Sequence, residues 1–325
     1  MKLGTVLITG GTGSFGRAFI AYVLKNNLSE KIISMSRNAE MRYKLEQDFP
    51  DARLAVVPGD VRQLEDLHRC YSGTVDVMIH AAAEKHILTG EHHAHYVKDI
   101  NVGGAKNVVA YAIESGVKCL IALSTDKACS PINEYGKSKA SAEQIVVNAG
   151  YTCVRYGNVA GSSGSVIPLF LKQQQSGEIT VTDRNMTRFH MPLSPDSEMQ
   201  VYDGAEKVMS AVDLVLYAIK NSIGAEIFVP QIPSSTIGDL ANAFAGCTIK
   251  EIGIRAGEKM HEDLISKAEA NRCWITDDGV YVIERSHLIK RQNATRVSPR
   301  GNRAGDERFC YRSSDNPRLL QIVKQ

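Results

Sequence analysis

The stretch KLGTVLITGGTGSFG, residues 2–16, runs from an apolar segment, Lys2 to Thr9, straight into a turn with glycines at 10, 11, 13 and 16. A helical apolar pattern, Phe19, Val23 and Leu24, follows at once. A strand buried on both faces reads as a continuous apolar run, while a helix repeats its apolar positions about every 3.6 residues, so the turn marks a strand-to-helix junction. Glycines at 10, 13 and 16 permit a tight turn, let backbone N–H groups approach a pyrophosphate and allow close packing of helix on strand. The helix N-terminus adds the positive end of its dipole. Gly10, Thr12, Gly13, Ser14, Phe15 and Gly16 are therefore the candidate cradle for a dinucleotide.

Beyond this junction, β-type runs at 3–9, 31–36, 53–57, 74–80, 117–124, 151–156 and 226–229 alternate with helical patterns at about 14–27, 38–48, 62–70, 94–115, 135–148 and 205–221. Such alternation implies an α/β fold, a Rossmann-type doubly wound parallel sheet whose ligand crevice lies at the carboxyl ends of the strands. Gly10, Ser36, Asp60, Ala81, Thr125 and Tyr156 each follow a strand directly. At 325 residues the chain exceeds the size at which a single core stops growing, so a smaller C-terminal substrate-binding lobe is expected beside the sheet. The expected division gives 1–165 and 205–232 to the cofactor domain, and 166–204 and 233–325 to the lobe.

Composition narrows the function classes. Apolar residues make up 43% of the chain, as in an ordinary globular protein, and a net charge of +2 is too small to imply a polyanion partner. Seven widely spaced cysteines without a C-x-x-C argue for reduced thiols, against a disulfide framework or zinc site. His92, His93 and His95 have no carboxylate or cysteine at ligand spacing, so no metal is expected. Neither a signal-peptide pattern nor a membrane-length apolar run occurs, and the expectation is a soluble cytoplasmic protein without a membrane partner. Seven basic residues between Arg285 and Arg308 lie among Ser, Asn, Gly and Pro, without aromatic interleaving; a solvated or subunit-contacting tail is expected there, and no nucleic acid.

The chemistry concentrates in STDKACSPINEYGKSK, residues 124–139. Tyr135 and Lys139, four apart, project from one helix face, where an ammonium can favour a phenolate. To be half ionised at pH 7, a tyrosine of pKa ~10 must find about 4 kcal/mol favouring the anion. Lys139 and a cationic nicotinamide ring are the expected sources, and Thr125 adds a hydroxyl for the same substrate oxygen. At the end of the second strand, Ser36 and Arg37 stand where an NAD enzyme usually carries an acidic residue; a hydroxyl and a guanidinium suit a 2′-phosphate, which favours NADP over NAD.

Together with these runs, GDVR (59–62), HAAAEKH (80–86), RYGNV (155–159), GSVIPLF (164–170), MTRF (186–189), EIFVPQIPSS (226–235) and GIRAGEKMHE (253–262) stand in order along residues 3 to 265. The set resembles the soluble, inverting UDP-N-acetylglucosamine 4,6-dehydratases, within the extended short-chain dehydrogenase/reductases. The resemblance implies that Asp60 and Val61 meet adenine and that Ala81, Ala82 and Ala83 let the cofactor backbone lie close. It places the UDP-sugar against Lys85, Asn158, Val166, Pro168, Thr182, Met186, Arg188, Arg255 and Glu258. It also implies a homo-oligomer paired through the helices near 94–115 and 135–148. Ser163 departs from the family pattern, which commonly has arginine there, and residues 190–210 form a longer connection than the pattern shows, read as a lid or an inert insertion.

The mechanism expected from these residues begins with Tyr135 taking the 4-hydroxyl proton, helped by Thr125 and Lys139, while C4 gives hydride to NADP⁺. Lys127 then removes the C5 proton and Asp126 protonates the departing 6-hydroxyl, before the hydride returns to C6. Lys127 needs its pKa lowered from ~10.4 toward ~7–8 for this, and burial beside the Lys139 cation is the expected cause. An intact Tyr135 favours inversion at C5, to a 6-deoxy-L-arabino-hexos-4-ulose. The competing readings are a nucleotide-sugar 4-epimerase or 4-ketoreductase, which have no use for Asp126-Lys127, and a non-catalytic dinucleotide-sensing regulator.

Overall fold

The computed structural model describes residues 1–285, 294–296, 310–316 and 320–324. The first half alternates as expected: β1 (Thr5–Thr9), α1 (Ser14–Lys25), β2 (Lys31–Ser36), α2 (Ala39–Asp48), β3 (Leu54–Pro58), α3 (Leu64–Cys70) and β4 (Val77–His80). Next come α4 (Ile87–His92), α5 (Ala94–Lys98), α6 (Gly104–Glu114), β5 (Cys119–Leu123), α7 (Glu134–Asn148), β6 (Thr152–Val154) and β7 (Asn158–Val159). The second half holds α8 (Val166–Gln174), β8 (Glu178–Val181), β9 (Thr187–Met191), β10 (Met199–Asp203), β11 (Glu206–Lys207), α9 (Ala211–Asn221) and β12 (Glu226–Pro230). It closes with β13 (Ser234–Thr236), α10 (Ile237–Asn242), β14 (Thr248–Glu251), β15 (Asp263–Ile265), β16 (Cys273–Thr276), β17 (Val280–Glu284), β18 (Ala294–Arg296), β19 (Tyr311–Arg312) and β20 (Leu320–Lys324).

Strands β3, β2, β1, β4, β5, β6 and β12 pair side by side and parallel, which is the doubly wound sheet expected from the apolar runs. The order reverses between β1 and β4, so a crevice opens there beyond the strand ends. Helix α1 closes on the sheet through Phe15, Phe19, Ile20, Val23 and Leu24, and burial of each such side chain contributes about 1.5–3 kcal/mol.

Three features depart from the sequence-based expectation. Strands β17 and β16 add antiparallel beyond β12, so residues 273–284, expected in the lobe, extend the main sheet. The single helix expected over 94–115 is two helices joined by a π-helical turn, Asp99–Gly103, and the helix expected from 205 starts at Ala211, with Ser210 and Asp213 forming a capping box. The connection at 190–210 is ordered β-structure: β10 pairs with β11 and with the C-terminal β20. The basic segment read as a tail lies outside the described residues except for Arg285 and the strand β18. Among the described residues no helix is long and apolar enough to cross a membrane, and the seven cysteines are unbridged.

A buried ion network ties the lobe to the sheet. The Arg155 guanidinium, following β6, donates to Glu143 Oε1 and Oε2 on α7 at 2.9 and 2.7 Å, and to Glu269 Oε2 and Oε1 at 3.0 and 2.9 Å. It also donates to the Leu264 carbonyl at 3.0 Å, on β15. Helix α7 and the 262–269 segment are thereby fixed to each other.

Candidate active site

A cavity of about 570 Å³ opens at the carboxyl ends of β1, β4 and β5, and a smaller one of about 240 Å³ continues from it. The two share Gly10, Gly13, Ala81 and Ala83. Gly10 has φ +74, and a Cβ on it would fall 2.7 Å from the Ala82 backbone, so only glycine lets β1 turn this close to the loop after β4. A Cβ on Gly13 would meet the Gly10 carbonyl oxygen at 3.3 Å and little else, so it would project into the cleft. This glycine-walled cleft at a helix N-terminus fits a dinucleotide pyrophosphate.

Thr12, Ser36, Arg37, Val61 and Ala82 line the smaller cavity, while Ser14, Phe15, Gly16, Tyr135 and Lys139 line the larger. The Thr12 N–H donates to the Ser36 hydroxyl at 3.4 Å. Arg37, 42% exposed, stands 3.8 Å from the Asp60 carboxylate. Asp60 lines neither cavity; its carboxylate accepts from Arg62 Nε at 2.9 Å. The loop at 160–165 clasps the glycine turn: Ser14 and Ser163 exchange hydrogen bonds at 3.1 Å, and Lys85 Nζ donates to the Ser163 carbonyl at 2.6 Å.

The candidate reacting groups hang on α7 and the turn after β5. Asn133 caps α7 by accepting the Gly136 N–H at 2.7 Å, and its amide donates to the Gly257 carbonyl at 2.7 Å, tying the lobe to this helix. A Cβ on Gly136 would lie 2.3 Å from the Lys127 carbonyl, so glycine lets α7 press against the Asp126–Ala128 turn. Tyr135 is thereby brought to Thr125 and Lys127. Thr125 donates to Asp126 Oδ1 at 2.8 Å, and Lys127 Nζ donates to the same oxygen at 3.1 Å. Asp126 is 1% exposed and lies beneath the cavity wall rather than on it.

The charge states differ from those expected. Burial pushes the Tyr135 phenol up to about 12, against the Lys127 ammonium and a hydrogen bond with Thr125. The cation that favours its phenolate is thus Lys127; Lys139 Nζ instead donates to the Leu123 carbonyl at 2.6 Å, and burial pulls its pKa down. For Lys127, burial is outweighed by the Asp126 and Glu262 carboxylates, which hold the ammonium above the usual lysine range. The lowered pKa expected for Lys127 is reversed, because Asp126 Oδ1 stands 3.1 Å and Glu262 Oε1 3.5 Å from the amine. Beneath the cofactor cleft, burial and the Lys139 cation push His80 down to about 3, and this neutral ring meets Thr9 Oγ1 at 2.8 Å.

Of the expected sugar-nucleotide contacts, Lys85, Asn158, Val166, Arg188 and Glu258 line the larger cavity, while Pro168, Thr182, Met186 and Arg255 do not. The Arg188 guanidinium is occupied by protein: it donates to the Thr187, Met260 and Lys259 carbonyls at 2.7, 3.2 and 2.9 Å. It therefore holds the 259–262 loop in place. Tyr156, expected at a strand end, lines the cavity, and so do Glu262 and Glu84, which had not been singled out in the sequence; Glu262 ends the GIRAGEKMHE run, which was its only signal. Glu84 Oε1 meets His86 Nδ1 at 2.6 Å. Among the described residues, no group of three or more His, Cys, Asp or Glu is arranged to hold a metal ion.

Residues 6–284 match the family model described as polysaccharide biosynthesis protein. A UDP-N-acetylglucosamine 4,6-dehydratase (inverting) of Campylobacter jejuni strain 81-176 is 37% identical, covering 98% of this chain and 96% of the relative. A UDP-glucose 4-epimerase of Rickettsia massiliae is 40% identical over 82% of this chain and 78% of its own length. Among solved structures, Pen from Bacillus thuringiensis superposes with a TM-score of 0.84 at 31% identity, covering 97% of this chain and 94% of that one. A Streptomyces venezuelae dTDP-glucose 4,6-dehydratase with NAD and TYD bound shares the fold at a TM-score of 0.68 and 21% identity, over 79% of this chain and 86% of its own.

Proposed function

Because the chain belongs to the polysaccharide biosynthesis protein family, and its cavity joins a dinucleotide cleft to an Asp126-Lys127 pair, we propose that it is a hydro-lyase, a UDP-N-acetylglucosamine 4,6-dehydratase. The observation that carries the reading is the direct Asp126–Lys127 contact beside Tyr135 and Thr125, since oxidation or epimerisation at C4 needs only the last two. The near-full-length Campylobacter relative bears that same name.

A bound nicotinamide dinucleotide would supply a hydride acceptor for C4 and return the hydride to C6. The chain's own groups handle the protons. Tyr135 takes the 4-hydroxyl proton with Thr125 hydrogen-bonded to it, and the resulting ketone acidifies C5–H. One proton shared across the 3.1 Å Lys127–Asp126 contact then serves both halves of the elimination. Its transfer to Asp126 leaves a neutral amine to accept the C5 proton and a carboxylic acid to protonate the departing 6-hydroxyl. The carboxylates that favour the ammonium oppose this transfer at rest, but they make the amine, once formed, a strong base for a carbon-bound proton. Inversion at C5 follows the name of the Campylobacter relative.

The Ser36 hydroxyl and the Arg37 guanidinium beside the smaller cavity favour NADP, through bidentate contact with a 2′-phosphate. A homo-oligomer acting in the cytoplasm completes the proposal. The Rickettsia names favour a second reading, 4-epimerisation. Incubation with UDP-N-acetylglucosamine followed by mass spectrometry separates the two: loss of one water supports the dehydratase, and unchanged mass with altered stereochemistry supports the epimerase.

A further inference from the structure

Lys127 does not stand against Asp126 alone. Across from it lies Glu262, 2% exposed and part of the cavity lining, with Oε1 3.5 Å from Lys127 Nζ and Oε2 3.4 Å from Lys259 Nζ. The carboxylate is held from three directions. Its backbone N–H donates to Ser313 Oγ at 2.9 Å, and its carbonyl accepts the Ser313 N–H at 2.9 Å. Arg188 fixes the Met260 and Lys259 carbonyls, and Lys259 is itself anchored by donating to the Cys129 carbonyl at 2.8 Å. Glu262 Oε2 accepts no hydrogen bond, and the same holds for Asp126 Oδ2. Two buried carboxylates thus flank one amine, Asp126 with Oδ2 uncommitted and Glu262 with Oε2 held only by the Lys259 ion pair. Removing charges from water is costly unless they are paired, so this arrangement survives only by fixing the ammonium between them.

We propose that Glu262 is a positioning residue for Lys127, holding the amine on the cavity floor and stabilising the ammonium that forms when the C5 proton is taken. The inference rests on the dehydratase reading for its consequence, though not for its geometry. The charged groups facing Lys127 are Asp126 on its own turn, Tyr135 on α7, Arg188 on β9 and Glu262 before β15, with Lys259 facing Glu262 from behind. Arg188 opposes the ammonium and the carboxylates favour it. Lys259 balances the charge of Glu262 without touching Asp126, so the shared proton can still move from Lys127 to Asp126. When the amine accepts the C5 proton, the new N–H bond forms as the C5–H bond breaks, its electron pair remains in the enolate, and Glu262 faces the positive charge produced.

The test is Glu262→Gln, with Glu262→Asp as the conservative partner. Lysine-labelled protein is titrated by NMR without substrate, Lys127 being assigned from its missing signal in Lys127→Arg. The expected result is a fall of about 1–2 units in the Lys127 midpoint for Glu262→Gln and a smaller fall for Glu262→Asp, the size usual for loss of an opposite charge at this range. In single turnovers with UDP-N-acetylglucosamine, reduced-nicotinamide absorbance still develops within about threefold of the parent, while water loss slows by about a hundredfold and its basic limb moves to lower pH. An unchanged Lys127 midpoint in both variants overturns the proposal, as does an equal slowing of oxidation and elimination with no pH shift. If the parent protein does not dehydrate the sugar, the functional reading fails instead, and the titration still decides the role of Glu262.

Discussion

Replacing Arg155 with leucine removes the cation from a network in which Glu143 and Glu269 are both buried or nearly so. Burial raises the Glu269 carboxyl, but Arg155 and the Ser266 amide and hydroxyl overcome it and hold the group at about 2. Relative to an ordinary glutamate near 4.3, that depression is worth about 3 kcal/mol. A folded-state pKa below the unfolded one contributes stability that is complete above about pH 4.3 and is lost as pH falls toward 2. The parent should therefore hold this contribution unchanged between pH 7 and 5. In Arg155→Leu the two carboxylates lose their partner, and breaking a buried pair costs about 3–5 kcal/mol, or roughly 4–7 °C in melting temperature for a chain this size. With the cation gone, burial raises the Glu269 carboxyl, so the sign reverses for that group and the variant recovers stability as it protonates on acidification. Calorimetric melts at pH 7 and pH 5 should show a large gap that narrows at the lower pH. A drop below about 2 °C at pH 7, or a gap that widens at pH 5, would refute the account of how α7 is tied to the lobe.

Tyr135→Phe should stop the reaction before any hydride moves, leaving no transient reduced nicotinamide in stopped-flow absorbance. Lys127→Ala should abolish release of C5 tritium from labelled substrate by at least about a hundredfold, yet leave slow oxidation at C4 detectable. Arg37→Asp should weaken NADP⁺ binding about tenfold or more with NAD⁺ little changed, and equal effects in parallel titrations would remove the 2′-phosphate argument. Gly10→Ala places a Cβ 2.7 Å from the Ala82 backbone at φ +74, and should weaken cofactor binding and lower the melting temperature together.

The parallel sheet was legible because its strands are buried on both faces, so each reads as a short apolar run ended by glycine or a polar residue, as at Thr9-Gly10. The runs at 273–276 and 280–284 are equally apolar, yet nothing local says that they join β12 antiparallel, since a partner strand is chosen by the packed surface it meets. The π-turn at Asp99–Gly103 was hidden because its apolar spacing continues that of the flanking helices. At the site, the spacing of Tyr135, Lys139 and Lys127 revealed which side chains would meet the cavity, but not their charge states. Those depend on burial and, for Lys127, on Asp126 and on Glu262, distant along the chain and fixed by Ser313, which no pattern around Lys127 announces. Arg188 illustrates the converse: an arginine in a motif reads as a phosphate ligand until the carbonyls it serves can be counted.

The central claim is that one sugar carbon is oxidised and its neighbour but one is reduced within a single binding event, with Asp126 and Lys127 removing water between the two steps. UDP-N-acetylglucosamine carrying deuterium at C4, turned over in ordinary water and read by NMR and mass spectrometry, tests this directly. The account predicts a 4-keto product with the deuterium in its C6 methyl group and no net reduced cofactor. Deuterium returned to C4 with all oxygens retained, or a C6 methyl hydrogen drawn from solvent in place of the label, would contradict it.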